Sequence, residues 1–160
     1  MLFRSLHTAA ISRNFVMMGF NYERDVGCML ENFGHRVESI MHHVYATSTA
    51  QHNLWQEFCQ YDARHPRQAA CGNVHFAPNS THDYDWGNRR AVLSSCDRWI
   101  DYPRTAHLPM RTVDCREWGN GDMRAHHIWW FQHMPHTNAA LDGVWGNWWD
   151  YSVRGHDMQP

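Results

Sequence analysis

Four side chains in the stretch CMLENFGHRVESIMHHVY, residues 28–45, have types and spacing that suit chemistry. Glu31, His35, Glu38 and His42 stand four, three and four residues apart. At roughly 100° per residue on a helix they fall in one narrow stripe. An apolar set of Val26, Met29, Leu30, Phe33, Val37, Ile40, Met41 and Val44 centres on nearly the opposite side. A carboxylate and a histidine four apart on one face can share a divalent metal. The plain alternative is a solvated helix face, so the stripe becomes a site only if another layer, such as the 64–90 loop, covers it. In that case Glu31 and His35 are helix ligands to zinc, and His75, Glu57 or the histidines at 126, 133 and 136 complete the shell. Glu38 is then the general base for a metal-activated water.

Other clusters compete for the same roles. The loop CGNVHFAPNSTHDYDWGN offers His75, Asp83 and Asp85, which suit a hard cation or zinc, or simply make Asx turns. MRAHHIWWFQHMPH places His126 and His133 on one face with Trp129, and His136 just beyond Pro135. Those three histidines could form a metal site, although a helix apolar nearly all round more often buries its histidines as hydrogen-bonded structure. Trp86, Trp118 and Trp145 sit beside Gly, Asn or Asp. Together with Asp83 and Asp85 they form an alternative site, a platform for a polysaccharide or cell-surface glycan. The competing role for the indoles is core.

The elements that must position these groups read as α+β, helix-rich, with a single core and long ordered loops. Residues 15–20 (FVMMGF) read as a buried strand, and a helix is predicted from Tyr22 to about Ala46. Ser48 and Gln51 suggest a capping box for a second helix over 47–63. Residues 64–90 form an ordered loop, and RAVLSSCDRWIDYP a short strand and a helical turn. Asp122 caps a third helix, Met123 to Met134. A Gly-interrupted helix is expected around Trp145, Trp148 and Trp149. The expected organisation is a disordered or non-native start over 1–14, one globular domain over 15–155 and a tail over 156–160.

The ENFGH stretch, residues 31–35, resembles the HExxH zinc helix of zincin metallopeptidases, which implies a partial zincin-like domain. In that resemblance His35 matches the second histidine ligand and Glu31 stands at the first. Asn32 stands where the family has its catalytic Glu, and Glu57 could serve as the distal third ligand. Asn accepts no proton at neutral pH, so the usual base is missing. More broadly, MGFNYERDVGCMLENFGHRVES, CGNVHFAPN, DYDWGN, CDRWIDYP, VDCREWGNGDMRAHHIWWFQHMPH and NWWDY resemble a family of secreted bacterial proteins, over most residues from about 15 to 151. That resemblance lends no catalytic residue. It implies an extracellular parent with a longer N-terminal portion, of which this chain is the C-terminal part or a shortened reading frame.

Composition narrows the classes. All 14 basic residues are arginine, which excludes Schiff-base chemistry, a pyridoxal anchor and a P-loop. A net charge of −2 gives no standing basic field for nucleic acid. Protonating all 14 histidines would carry that charge to +12, so acidification should alter the molecule strongly. No run of about 18 apolar residues predicts a membrane span, and the N-terminal stretch makes a poor signal peptide. Five cysteines include no CxxC. Cys96 and Cys115 flank an 18-residue loop and are the preferred disulfide in an exported protein.

Overall fold

Asp25 sets the start of the longest element. Its carboxylate accepts the Gly27 amide at 2.8 Å, so helix α1 runs Val26–Thr47, four residues later than the Tyr22 start predicted from periodicity. The computed structural model describes residues 18–21 and 23–155. The expected start over 1–14 and the tail over 156–160 lie outside the described residues, as do positions 15–17 of the expected first strand. Residues 18–20 are not a strand.

The described residues form, in order, α1, α2 (Leu54–Phe58), β1 (Val92–Ser94), β2 (Arg111–Val113), α3 (Met123–Gln132), β3 (His136–Leu141), β4 (Val144–Asn147) and α4 (Trp148–Arg154). Single 3-10 turns, Cys96–Arg98 and Cys115–Trp118, leave β1 and β2. The strands form two separate antiparallel pairs, β1 with β2 and β3 with β4. Helices and small sheets share one core, which makes the chain α+β. No helix among the described residues is long and apolar enough to cross a membrane.

Two predicted elements change. Ser48 does not open the second helix; its amide donates to the Val44 carbonyl and closes α1. The Asn53 side chain caps α2 instead, accepting the Gln56 amide, and five residues suffice to bury Leu54, Trp55 and Phe58. The expected helix around Trp145 begins only at Trp148, because Trp145 belongs to the β3–β4 hairpin.

Tryptophans build the core. The Phe58 ring meets Trp55, Trp99, Trp130 and Trp148 at centroid distances of 5.6, 5.6, 5.7 and 5.5 Å, in mostly tilted or edge-on geometry. α1 packs across α3 and α4, so the face opposite this core carries the Glu31–His42 stripe.

The long loop between α2 and β1 is tied down rather than free. The amides of Ala70 and Cys71 donate to Gln60 and Phe58 carbonyls, and Ala69 bridges Ser94 of β1. Trp130 Nε1 donates to the Gly72 carbonyl at 3.0 Å. Gly72 itself sits at φ 72°, and a Cβ there would lie 2.0 Å from the Phe76 carbonyl oxygen, so only glycine makes this turn.

All five cysteines are free thiols, which corrects the expected Cys96–Cys115 disulfide. The reason is register. Val92 pairs with Val113 and Ser94 with Arg111, so Cys96 and Cys115 leave opposite ends of the β1–β2 ladder. Their sulfurs face Asp97 and Asn120 respectively. A disulfide needs Cα atoms within about 7 Å. Thiol titration of the purified chain in denaturant without reductant should count five thiols; three would restore a bridge.

Candidate metal centre

The loop that leaves Gly72 folds over the N-terminal half of α1. Asn73 makes the turn, its Oδ1 accepting the amides of His75 and Phe76 at 3.0 and 2.9 Å. Val74 then drops onto α1 at Gly34. A Cβ on Gly34 would stand 2.5 Å from Val74 Cγ2, so the absence of a side chain allows the loop this close. Glu38 Oε1 accepts the Val74 amide at 2.9 Å and fixes the loop's height.

This brings His75 above Glu31 and His35. One donor atom from each of the three lies within 4.8 Å of the others. His75 Nε2 is 3.4 Å from Glu31 Oε1, and the imidazoles of His35 and His75 meet edge to face at 4.7 Å. The Glu31 side chain is only 13% exposed. Each histidine has a carboxylate on its other nitrogen. His75 Nδ1 lies 2.9 Å from Asp83, and His35 Nδ1 lies 3.0 Å from Glu38 Oε2. A carboxylate only accepts, so each Nδ1 carries a proton, and in the neutral ring Nε2 then keeps the lone pair.

That arrangement has an electrostatic consequence. His75 Nε2 is buried and has no hydrogen-bond partner among the described residues. Its lone pair faces the Glu31 carboxylate, and two acceptors at that distance require a cation between them. A proton on His75 would satisfy one pair; a metal ion would satisfy three converging donors at once. Tetrahedral zinc with bonds of 2.0–2.1 Å has donor–donor edges of about 3.4 Å, which is the separation of Glu31 and His75. The Tyr84 ring lies tilted against His75 at 4.3 Å, and partial desolvation, then the Glu31 and Asp83 charges, raise its phenol above the usual range.

A cleft of about 750 Å³ opens beside the cluster, lined by His35, Glu38, His42, Gln60, Arg64 and His65 among others. It has the size of a small-molecule site.

The remaining expected residues lie elsewhere. Glu38 is not a free general base: both its oxygens are committed, to His35 and to the Val74 amide, which makes it a positioning group. Asn32 donates to the Cys28 carbonyl at 3.0 Å, back along the helix. Glu57 is exposed on α2 and faces clefts with Tyr102, because Leu54, Trp55 and Phe58 turn inward. It joins neither Glu31 nor His35. The expected grouping of His126, His133 and His136 does not form. His126 is fully buried, stacked on Trp86; His133 faces Cys96 and Asp97; His136 is exposed at the start of β3.

The glycan platform is corrected too. Trp86 and Trp118 are 5% and 1% exposed, and Trp118 Nε1 donates to the Trp86 carbonyl, so neither presents an indole face. Trp145 is half-buried and donates to Asp150. Asp85 holds Thr81 and Asn88 within the loop, and Asp83 serves His75. Sequence reasoning missed the pairing of a carboxylate with each histidine. The signal for one was local, Glu38 lying three residues after His35; the other depended on the loop's closure.

Gly34→Ala isolates the loop's contribution without touching a ligand. Alanine favours the helix by about 1 kcal/mol, yet its methyl must displace the stiff, fully buried Val74. Helix content should hold while zinc affinity falls roughly 10-fold or more, as when a group orienting a ligand is lost. Isothermal titration with zinc checks this.

Compared with protein-family models, curated proteins and solved structures, the chain matches none.

Proposed function

We propose that this chain binds a divalent cation, zinc, through Glu31, His35 and His75, as the centre of a hydrolase-like extracellular domain. The observation that carries the proposal is the orphaned, buried Nε2 of His75 facing Glu31 at 3.4 Å, its ring fixed from behind by Asp83. Carboxylate–histidine pairs of this kind set the tautomer and basicity of metal ligands. Two imidazoles and one carboxylate are a known catalytic zinc set, which leaves a fourth position open.

Bound there, the metal would supply Lewis-acid polarisation and an acidified water. The protein's part is orientation: Glu38 and Asp83 hold the imidazoles, Gly34 and Val74 set the loop height, and the cleft beside His35 admits a substrate. Among the described residues, neither Asn32, which faces its own helix, nor Glu38, which is occupied, can act as the zincin glutamate does. The zincin likeness therefore supports metal binding more than turnover. With a net charge of −2, a polysaccharide or cell-surface ligand suits the cleft better than nucleic acid.

Elemental mass spectrometry on untagged protein, equilibrated with zinc and desalted, tests the proposal beside Glu31→Ala/His35→Ala. Retention of zinc that falls by one equivalent in the double variant supports it and warrants a hydrolase screen. Equal zinc in the two proteins, or none in either, would overturn it.

A further inference from the structure

A second group of ligand atoms converges far along the sequence from the α1 stripe. Cys96 opens the 3-10 turn after β1, Asp97 follows it, and His133 caps the C-terminal end of α3. A sulfur, a carboxylate oxygen and a ring nitrogen from these three lie within 4.8 Å of one another. Cys96 is fully buried and His133 is 6% exposed. His133 Nδ1 lies 2.6 Å from the Trp129 carbonyl, which can only accept. With Nδ1 protonated, the neutral ring keeps its lone pair on Nε2.

Charge balance decides what this pocket suits. The Arg111 guanidinium is bidentate to Asp97, at 2.6 and 3.0 Å, and it also binds Glu117 at 2.9 and 3.1 Å. One guanidinium between two carboxylates leaves one negative charge uncompensated. Ionising the Cys96 thiol would add a second, in a place where unpaired charge is costly. A single divalent cation neutralises both. The same Arg111 contacts hold Asp97 in place while leaving it a lone pair for a metal.

We infer that Cys96, Asp97 and His133 form a second cation site, thiolate-containing and suited to zinc or another soft to borderline divalent ion, independent of the α1 stripe. As the Cys96 proton leaves to solvent, the thiolate, the His133 Nε2 lone pair and an Asp97 oxygen each form a bond to the metal and together displace three of the ion's waters. Thiolate and imidazole together favour such ions over calcium or magnesium.

Cobalt(II) tests this directly, because thiolate ligation gives a near-ultraviolet charge-transfer band that carboxylate and imidazole ligands lack. The probe is cobalt alone, titrated into the chelator-treated full chain. The expected result is a saturable band in the wild type and undiminished in Glu31→Ala/His35→Ala, which retains every cysteine. Cys96→Ser should lose the band, and His133→Gln should weaken binding on the order of 10-fold or more. Circular dichroism verifies that each variant folds. No band in the wild type would overturn the inference whatever the variants do, as would a band that survives in folded Cys96→Ser.

Discussion

Replacing His75 with alanine should reduce zinc affinity at the α1 centre by at least about 100-fold, with the fold intact. The loop's position rests on Asn73, Gly72, Val74 and Glu38, none of which needs the His75 ring. The His75 backbone still accepts the Tyr84 amide. What disappears is the one ligand that distinguishes a covered site from two residues on a helix surface. Asp83→Asn and Glu38→Gln should give smaller, graded losses of roughly 10- to 100-fold, because each leaves the ligand and removes only its carboxylate partner. Glu38→Gln has a second effect, since it weakens the acceptor for the Val74 amide. Competition against a zinc-sensitive dye reads all three. Equal affinity in wild type and His75→Ala would mean that the loop covers the helix without ligating anything.

Mild acid should destabilise the metal-free protein steeply. Three histidines of α3 and its C-cap, His126, His127 and His133, are buried, and burial lowers the pKa of each, His126 well below the ordinary value. The sign follows from linkage. Their stabilising contribution is complete above the unfolded histidine pKa of about 6.5 and is lost as pH falls toward the folded values. The unfolded chain takes up more protons in that window than the native chain does. Each histidine that stays neutral costs about 1.4 kcal/mol per pH unit, so three cost at most about 4. Set against a typical stability of roughly 5–15 kcal/mol, this loss should lower the urea midpoint progressively as pH falls below about 6.5.

His126→Phe separates this effect from general acid sensitivity. Neither ring nitrogen of His126 has a hydrogen-bond partner among the described residues, and the ring lies between Trp86, Trp118 and Trp129. An apolar ring of similar shape loses no bond there and removes an unsatisfied polar group, so stability near pH 7 should hold or rise. Urea unfolding from pH 7 to 5, with chelator present, should show a slope shallower by about 1.4 kcal/mol per pH unit. An unchanged slope would place the acid sensitivity elsewhere.

Much of this was legible in the residues, and the reasons are local. The period of α1 was written in Val37, Ile40, Met41 and Val44, all of which are buried. Gly34 inside that helix suggested a close approach, and Val74 makes it. The dependence of the stripe on a covering layer was likewise readable, since ligand spacing and a solvated face look alike until a loop arrives.

Other features were not legible because they depend on partners distant in sequence. Three-residue strands carry too little alternation to be read, so the register that separates Cys96 from Cys115 could not be foreseen. Glu38 looked free for base work because nothing local revealed the Val74 amide. His133 meets Cys96 and Asp97 only because the fold brings the C-cap of α3 beside the 3-10 turn after β1. Trp86 and Trp118 sit in turn-like sequence yet are core, since the turns themselves fold inward over α3.

Anomalous diffraction at the zinc edge, on crystals of the zinc-loaded chain, tests the central claim most directly. The expected peak lies about 2.0–2.2 Å from Nε2 of His35, Nε2 of His75 and a Glu31 oxygen, with Glu38 and Asp83 still on the two Nδ1 atoms. Zinc found only at exposed histidines, with His75 and Glu31 joined by a proton in a metal-free pair, would contradict it.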